Sequence, residues 1–403
     1  MFVRNELFWT VVAAAALLPF TGCGKRPQPT SENTAQPAAT SAVQIGGADV
    51  VMLKRAATSG GTKPEFLSAT ILPGRGMNLF QITANIPGKG VISVLASPSL
   101  DEAAKKLTGE GDDKYGNASF GFGGAFLVPY PNRIRGKLSA DGESITTEWN
   151  GKPITLPANF SGKKPGAEKH SIHGLILTSK AENVQVQDTP DGQTVTGIIH
   201  AGNFGGHWPS QTDLNFAIVL KGDTIDASIT AKNTGNEAEP ISIGWHPYFA
   251  LPSHEREQVL LHVPAENYAQ VNNYDDVFPT GRLLPVKDTE YDFALPGGVP
   301  LGSMFLDDNF SHLKRTNGDV VVSIIDPAAN YGLHINGLSP EIKTVQVYAP
   351  PEKEFIAVEE QFNFGDPWGK EWHGMDTGMV TLKPDQAVTW KCQLQLFTPP
   401  PAK

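Results

Sequence analysis

An all-β fold, built as one large antiparallel sandwich, follows from three features of residues 44–403. Short runs alternate between apolar and polar side chains, and Gly, Pro, Asn and Asp punctuate them, which is how half-buried strands joined by turns read. Helical periodicity is nearly absent. No break in composition interrupts the stretch, so a single domain of roughly 350 residues is expected.

The alternation predicts strands at residues 66–72, 78–86, 91–96, 193–200, 213–220, 224–231, 241–249, 320–325, 343–348 and 355–359. The clearest strand lies near the C-terminus. There Val388, Trp390, Cys392, Leu394 and Leu396 alternate with polar residues, so this set faces a core and Cys392 serves as a small core hydrophobe. One short helix is expected over residues 100–107, capped by Ser99.

The first 43 residues have a different character. Residues 1–23 read as an export signal: Arg4, an apolar run over residues 7–20 too short to span a bilayer, then Thr21-Gly-Cys23. Phe20-Thr-Gly-Cys23 resembles the lipobox of bacterial lipoproteins, which implies lipid attachment at Cys23 and a membrane-anchored place in the cell envelope. Residues 24–43 are rich in Pro, Ser, Thr and Ala, a composition suited to a flexible tether and unable to form a core. With Cys23 acylated, the other cysteine, Cys392, has no disulfide partner, and the exported domain relies on its core.

The chain has 403 residues, of which 40% are hydrophobic and 18% charged, with a net charge of −10. No basic run is present, which argues against nucleic acid as a partner and favours a neutral small molecule.

Several motifs carry possible chemistry. Phe355-Ile-Ala-Val-Glu-Glu-Gln-Phe-Asn-Phe364 places two carboxylates at the end of an otherwise core-like strand, where ionised groups are costly unless paired or used. Alternation sends Glu359 to the face of the small Ala357, and Glu360 to the apolar face; the strand is therefore expected to bend or end at Glu360. In Pro129-Tyr-Pro-Asn-Arg-Ile-Arg-Gly136, two prolines fix an extended entry to Arg133, whose planar fork suits vicinal hydroxyls or a carboxylate. His170-Ser-Ile-His-Gly-Leu175 has the look of a metal pair but lacks further ligands at suitable spacing. A hydrogen-bonding His173 is preferred, with Gly174 allowing a ligand close to the backbone. Ile241-Ser-Ile-Gly-Trp-His-Pro-Tyr-Phe249 holds His246 in an extended conformation before Pro247, which removes a ladder donor and is expected to end pairing there. A histidine so fixed suits proton transfer. Phe305-Leu-Asp-Asp-Asn-Phe310 offers hydrogen-bond acceptors, and Trp208 in Gly205-Gly-His-Trp-Pro209 is a weaker candidate for stacking on a ring.

Asn132-Arg133, His173-Gly174, His246-Pro-Tyr-Phe249, Asp307-x-Asn309-Phe310 and Val358-Glu359-x-Gln361 occur in the order found in the aldose 1-epimerases, or galactose mutarotases, and the sequence over residues 60–398 resembles that family. Leu175 replaces the family's usual second glycine after His173, and Glu360 stands where Thr or Pro is usual. The resemblance implies a galactose mutarotase-like supersandwich with an open sugar cleft, using no metal and no organic cofactor. It implies Glu359 as base, His246 as acid, and Arg133, His173, Asp307 and Asn132 as groups that hold a free aldohexose while its α and β anomers interconvert. The base must be ionised and His246 protonated, so acidic neighbours are expected around His246. Two other readings share these residues: a non-catalytic carbohydrate-binding envelope lipoprotein, and a glycosidase or polysaccharide lyase recruiting Asp307 with Glu359.

Overall fold

A computed structural model describes residues 43–58 and 60–400. The signal and nearly all of the tether, with Cys23, lie outside the described residues. One compact unit covers Ala42–Lys403.

Alternating apolar side chains leave two antiparallel sheets no way to cover their inner faces except against one another. The sheet that carries the cleft has seven strands: β1 (Gly124–Leu127), β2 (Gly244–Ala250), β3 (Ala265–Val271), β4 (Pro279–Pro285), β5 (Leu306–Leu313), β6 (Thr344–Ala349) and β7 (Phe355–Gln361), in the spatial order β4-β3-β5-β6-β7-β2-β1. A ten-stranded sheet faces it, built around Gly192–Gly202, Thr212–Leu220, Thr224–Asn233, Tyr331–Gly337 and the long C-terminal strand Ala387–Phe397. The sequence analysis marked most of these strands. It passed over β1, β3, β4, β5, Tyr331–Gly337 and the hairpin Ser144–Trp149 with Lys152–Pro157, where polar residues, Gly and Pro interrupt the alternation or the run is short.

The inner faces meet in one continuous core. Phe126 of β1 lies between Trp245 of β2, Phe216 and Trp390, with ring centroids 6.1, 5.7 and 6.0 Å away. Burying each such side chain stabilises the fold by about 1.5–3 kcal/mol, and Trp390 is fully buried as the C-terminal alternation requires. Cys392 is buried in the same layer. A short helix, α1 (Leu100–Lys106), begins at Ser99, which forms a reciprocal capping box with Glu102.

Two local expectations are corrected. Pro247 does not end its strand: β2 runs through it, paired with β1 over Gly244–Pro247 and with β7 over Tyr248–Ala250. Tyr248 donates its N–H to Gly123 on the β1 side, so the missing donor of Pro247 points at β7, where the ladder has lapsed. Nor does β7 bend at Glu360. It continues in register to Gln361, with Glu359 opposite Gln346 and Glu360 opposite Val345.

Candidate active site

The outer face of the seven-stranded sheet is set by register. Asp307 lies opposite Tyr348, Asn309 opposite Gln346, Gln346 opposite Glu359, and Tyr248 opposite Ala357. Cross-strand partners share a face, so Asp307, Gln346, Glu359 and His246 all look outward from four adjacent strands, β5, β6, β7 and β2. They floor a cleft of about 390 Å³, a size suited to a small ligand.

The wall opposite comes from two segments distant in sequence. Arg133–Ile134 pairs with Ser171–Ile172, and the His173 N–H donates to the Asn132 carbonyl at 3.0 Å. This brings Asn132, Arg133 and His173 together over the cleft. Both Asn132 and His173 hold left-handed backbone, at φ 61° each, which turns their side chains off the line of the short strands. Gly174 has a different use from the one expected. A Cβ there would stand 2.4 Å from the Val128 carbonyl oxygen, so the glycine admits the neighbouring backbone and not a ligand. His170, the other half of the His-x-x-His pair, is fully buried against Phe160 and Phe278, with Nδ1 on the Glu168 carbonyl. The two histidines therefore do not converge.

The decisive contact is between His246 Nε2 and Glu359 Oε1, 3.3 Å apart. The lapse in the β2–β7 ladder at Pro247 falls beside this pair. His173 stands edge-on to the His246 ring at 5.0 Å, and Tyr248 stacks on its other side at 4.9 Å. Arg133 reaches Asp307 at 3.6 Å. Between them works a residue the sequence reading missed. Gln346 accepts from Asn132 Nδ2 at 3.0 Å and from Asn309 Nδ2 at 3.2 Å, and donates to Asp307 Oδ1 at 2.8 Å. Asn132 Oδ1 in turn accepts from the Arg133 backbone and guanidinium at 2.9 and 3.3 Å. A lone Gln within an apolar strand was the only available signal. The amide thus fixes the carboxylate and, through Asn132, the arginine.

Burial dominates the electrostatics. It pushes the Glu359 carboxyl well above the usual range, helped by the negative charge of Asp307 and opposed by Arg133. It pushes His246 down to about 3, with Arg133 acting in the same sense. His173 is driven well below its usual value by burial and by the neighbouring His246 and Arg133. Burial thus opposes the protonated His246 that the chemistry calls for and favours the neutral imidazole. Both directions favour the carboxyl side for a proton shared by the pair. Moving it across the 3.3 Å contact gives carboxylate and imidazolium with no change in total charge.

Trp208 is not part of the cleft. It is buried between Tyr130 and Trp368, 5.9 Å from each, and its Nε1 donates to the Pro240 carbonyl.

The model of the aldose 1-epimerase family matches residues 93–395. The chain belongs to this family. An uncharacterized protein, YphB, from Escherichia coli is 25% identical over 177 residues, 43% of this chain and 50% of that protein, so the match spans about half the length of the relative. Among solved structures, a galactose mutarotase-like protein from Clostridium acetobutylicum superposes with a TM-score of 0.67 at 21% identity, over 86% of this chain and 95% of that one. A homologue from Caenorhabditis elegans described as GalM/aldose epimerase gives 0.62 at 17%, over 87% and 99%, and a putative aldose 1-epimerase from Escherichia coli gives 0.61 at 16%, over 87% and 99%. At these identities the superpositions establish the shared sandwich fold.

Proposed function

We propose that this member of the family is an active aldose 1-epimerase that interconverts the α and β anomers of a free aldose. The observation that carries the reading is the Glu359–His246 contact in the cleft, with Asp307 two strands away and Arg133 paired with it. Mutarotation needs one group to take the proton from the C1 hydroxyl and one to protonate the ring oxygen. In the carboxylate–imidazolium form, Glu359 takes the C1 proton while the C1–O5 bond breaks and C1=O1 forms. His246 delivers its proton to O5. Rotation about C1–C2 presents the other face of the carbonyl, O5 attacks it, and both protons return. The pair ends as it began, so one proton suffices for each turnover. Arg133 and Asp307 bind the hydroxyls of the far edge and His173 those beside His246, and Gln346 with Asn132 keeps Asp307 and Arg133 in place. Polarimetry on freshly dissolved α-D-glucose and α-D-galactose, beside a reducing-end assay on oligosaccharides, tests this. Accelerated mutarotation with no new reducing ends is expected; new reducing ends without mutarotation point to a hydrolase.

Export and lipid anchoring through Cys23 complete the proposal, supported by the lipobox-like Phe20-Thr-Gly-Cys23 and the Pro- and Ser-rich tether. Cys23→Ala should release the protein from the membrane fraction or leave it unprocessed. Unchanged lipid labelling of that variant counts against it.

A further inference from the structure

The cleft continues past the groups assigned to a single aldose. Along the floor, Glu359 on β7 and Asp307 on β5 are two strands apart, about 10 Å at the usual spacing of ~4.8 Å, which is the span of one hexopyranose with its hydroxyls. Beyond Asp307 the lining turns aromatic. Phe305 and the loop residue Tyr274 both line the cleft, and they remain 37% and 44% exposed. Their ring centroids are 5.2 Å apart, and Phe305 stands 6.2 Å from Tyr348.

An exposed tyrosine ordinarily rotates freely, but this one is held. Its hydroxyl donates to Asp308 at 2.9 Å and meets the Tyr291 hydroxyl at 3.0 Å. Asp308 is 1% exposed and faces away from Asp307. Tyr291 stacks on Tyr268 at 4.2 Å. The same loop is tied to the opposite rim, where Asp275 accepts from the Lys163 and Lys164 N–H groups at 2.9 and 3.1 Å. A buried acid and a second tyrosine thus fix an aromatic face that looks into the cleft. Rings fixed before binding lose little freedom on contact, and a pyranose presents a C–H face that stacks on them. Glu352 and Lys163 also line the cleft and suit its hydroxyls.

We propose that Tyr274 and Phe305 form a second subsite that stacks the next ring of an oligosaccharide whose reducing-end ring occupies the Glu359–His246 end. The reacting C1 lies at β2 and β7, so the substituent leaves from the opposite edge of the ring, toward β5 and the Tyr274 loop. The protein then acts preferentially on the reducing ends of short oligosaccharides, an inference that rests on the epimerase reading.

The test compares mutarotation of cellobiose and lactose with that of glucose and galactose. The wild type is expected to show a kcat/KM at least about fivefold higher for the disaccharides. Phe305→Ala should lower the disaccharide value by about fivefold to tenfold, the scale of one lost aromatic contact, and leave the monosaccharide values within twofold. Tyr274→Phe, which keeps the ring but frees it, should lower the disaccharide value by a smaller factor. Equal values for both substrate classes in the wild type, or equal losses for both in Phe305→Ala, overturn the proposal. If no sugar is turned over, the epimerase reading fails by itself. Binding of methyl β-cellobioside against methyl β-glucoside then decides the subsite: tighter disaccharide binding lost in Phe305→Ala supports it, and equal binding overturns it.

Discussion

Glu359 and Glu360 are consecutive, equally buried at 2% exposure, and both pushed strongly toward the neutral acid by desolvation, yet their surroundings differ in kind. Glu359 shares its cleft with His246, Arg133 and Asp307, groups that accept, supply or balance a proton. Glu360 points between the sheets. Its carboxyl presses on Gly337, where a Cβ would stand 2.7 Å from Oε2, and lies beside the Cys392 thiol. One residue of register separates a carboxyl that has a proton to exchange from one whose protonation only keeps a charge out of the core. Burial and a raised pKa are therefore not signs of function by themselves; the neighbours decide.

The contrast is most directly broken by paired substitutions. Glu359→Gln should lower mutarotation turnover by about a hundredfold or more, the scale for losing a positioned proton-transfer group, with little change in melting temperature. Glu360→Gln should keep turnover within a few-fold of wild type and cost about 1–3 kcal/mol, because the amide brings two donors into an apolar layer. Turnover and thermal melts of both variants check this, and a hundredfold loss in Glu360→Gln with Glu359→Gln active reverses the assignment.

The support around the pair is tested by Gln346→Leu. It leaves Asp307, Asn132 and Asn309 without their shared partner, and kcat/KM should fall by roughly tenfold with the pair itself intact.

Acidity tests the electrostatic side. His246 at about 3 and His170 at about 4 stay neutral in the fold while the unfolded chain protonates near the ordinary value of about 6.5. The unfolded state thus binds more protons below that value, and this stability is lost as pH falls from about 6.5 toward 4. Glu239 and Asp308, raised by burial to about 7, and Glu359 and Glu360, raised in the same sense, act oppositely over this range. The histidine contribution is therefore read as the difference in melting temperature against pH between the wild type and His170→Asn, and the acid limb of mutarotation in folded protein should lie well below 6.5. The smallest effect concerns metal removal. Dialysis against EDTA should leave turnover unchanged, since every step assigned above uses protons alone.

Much of this was legible in the sequence. Alternation at Val388–Leu396 fixed the faces of the C-terminal strand, Ser99 marked the helix start, and parity along Phe355–Gln361 put Glu359 and Glu360 on opposite faces, because these patterns involve only nearest neighbours in the chain. Family motifs picked out Arg133, His173, His246, Asp307 and Glu359, all of which line the cleft. The sequence did not disclose Gln346, whose importance comes from three partners on other strands, or the use of Gly174, which depends on how closely Val128 passes. It could not show that β7 runs straight through Glu360, since the glycine that makes room for that carboxyl lies on the facing sheet. Local pattern determines which way a side chain points, because pleat and turn are properties of a few consecutive residues. What the side chain meets is settled only by strands far apart in sequence, and here that decided which of two adjacent acids is placed for chemistry.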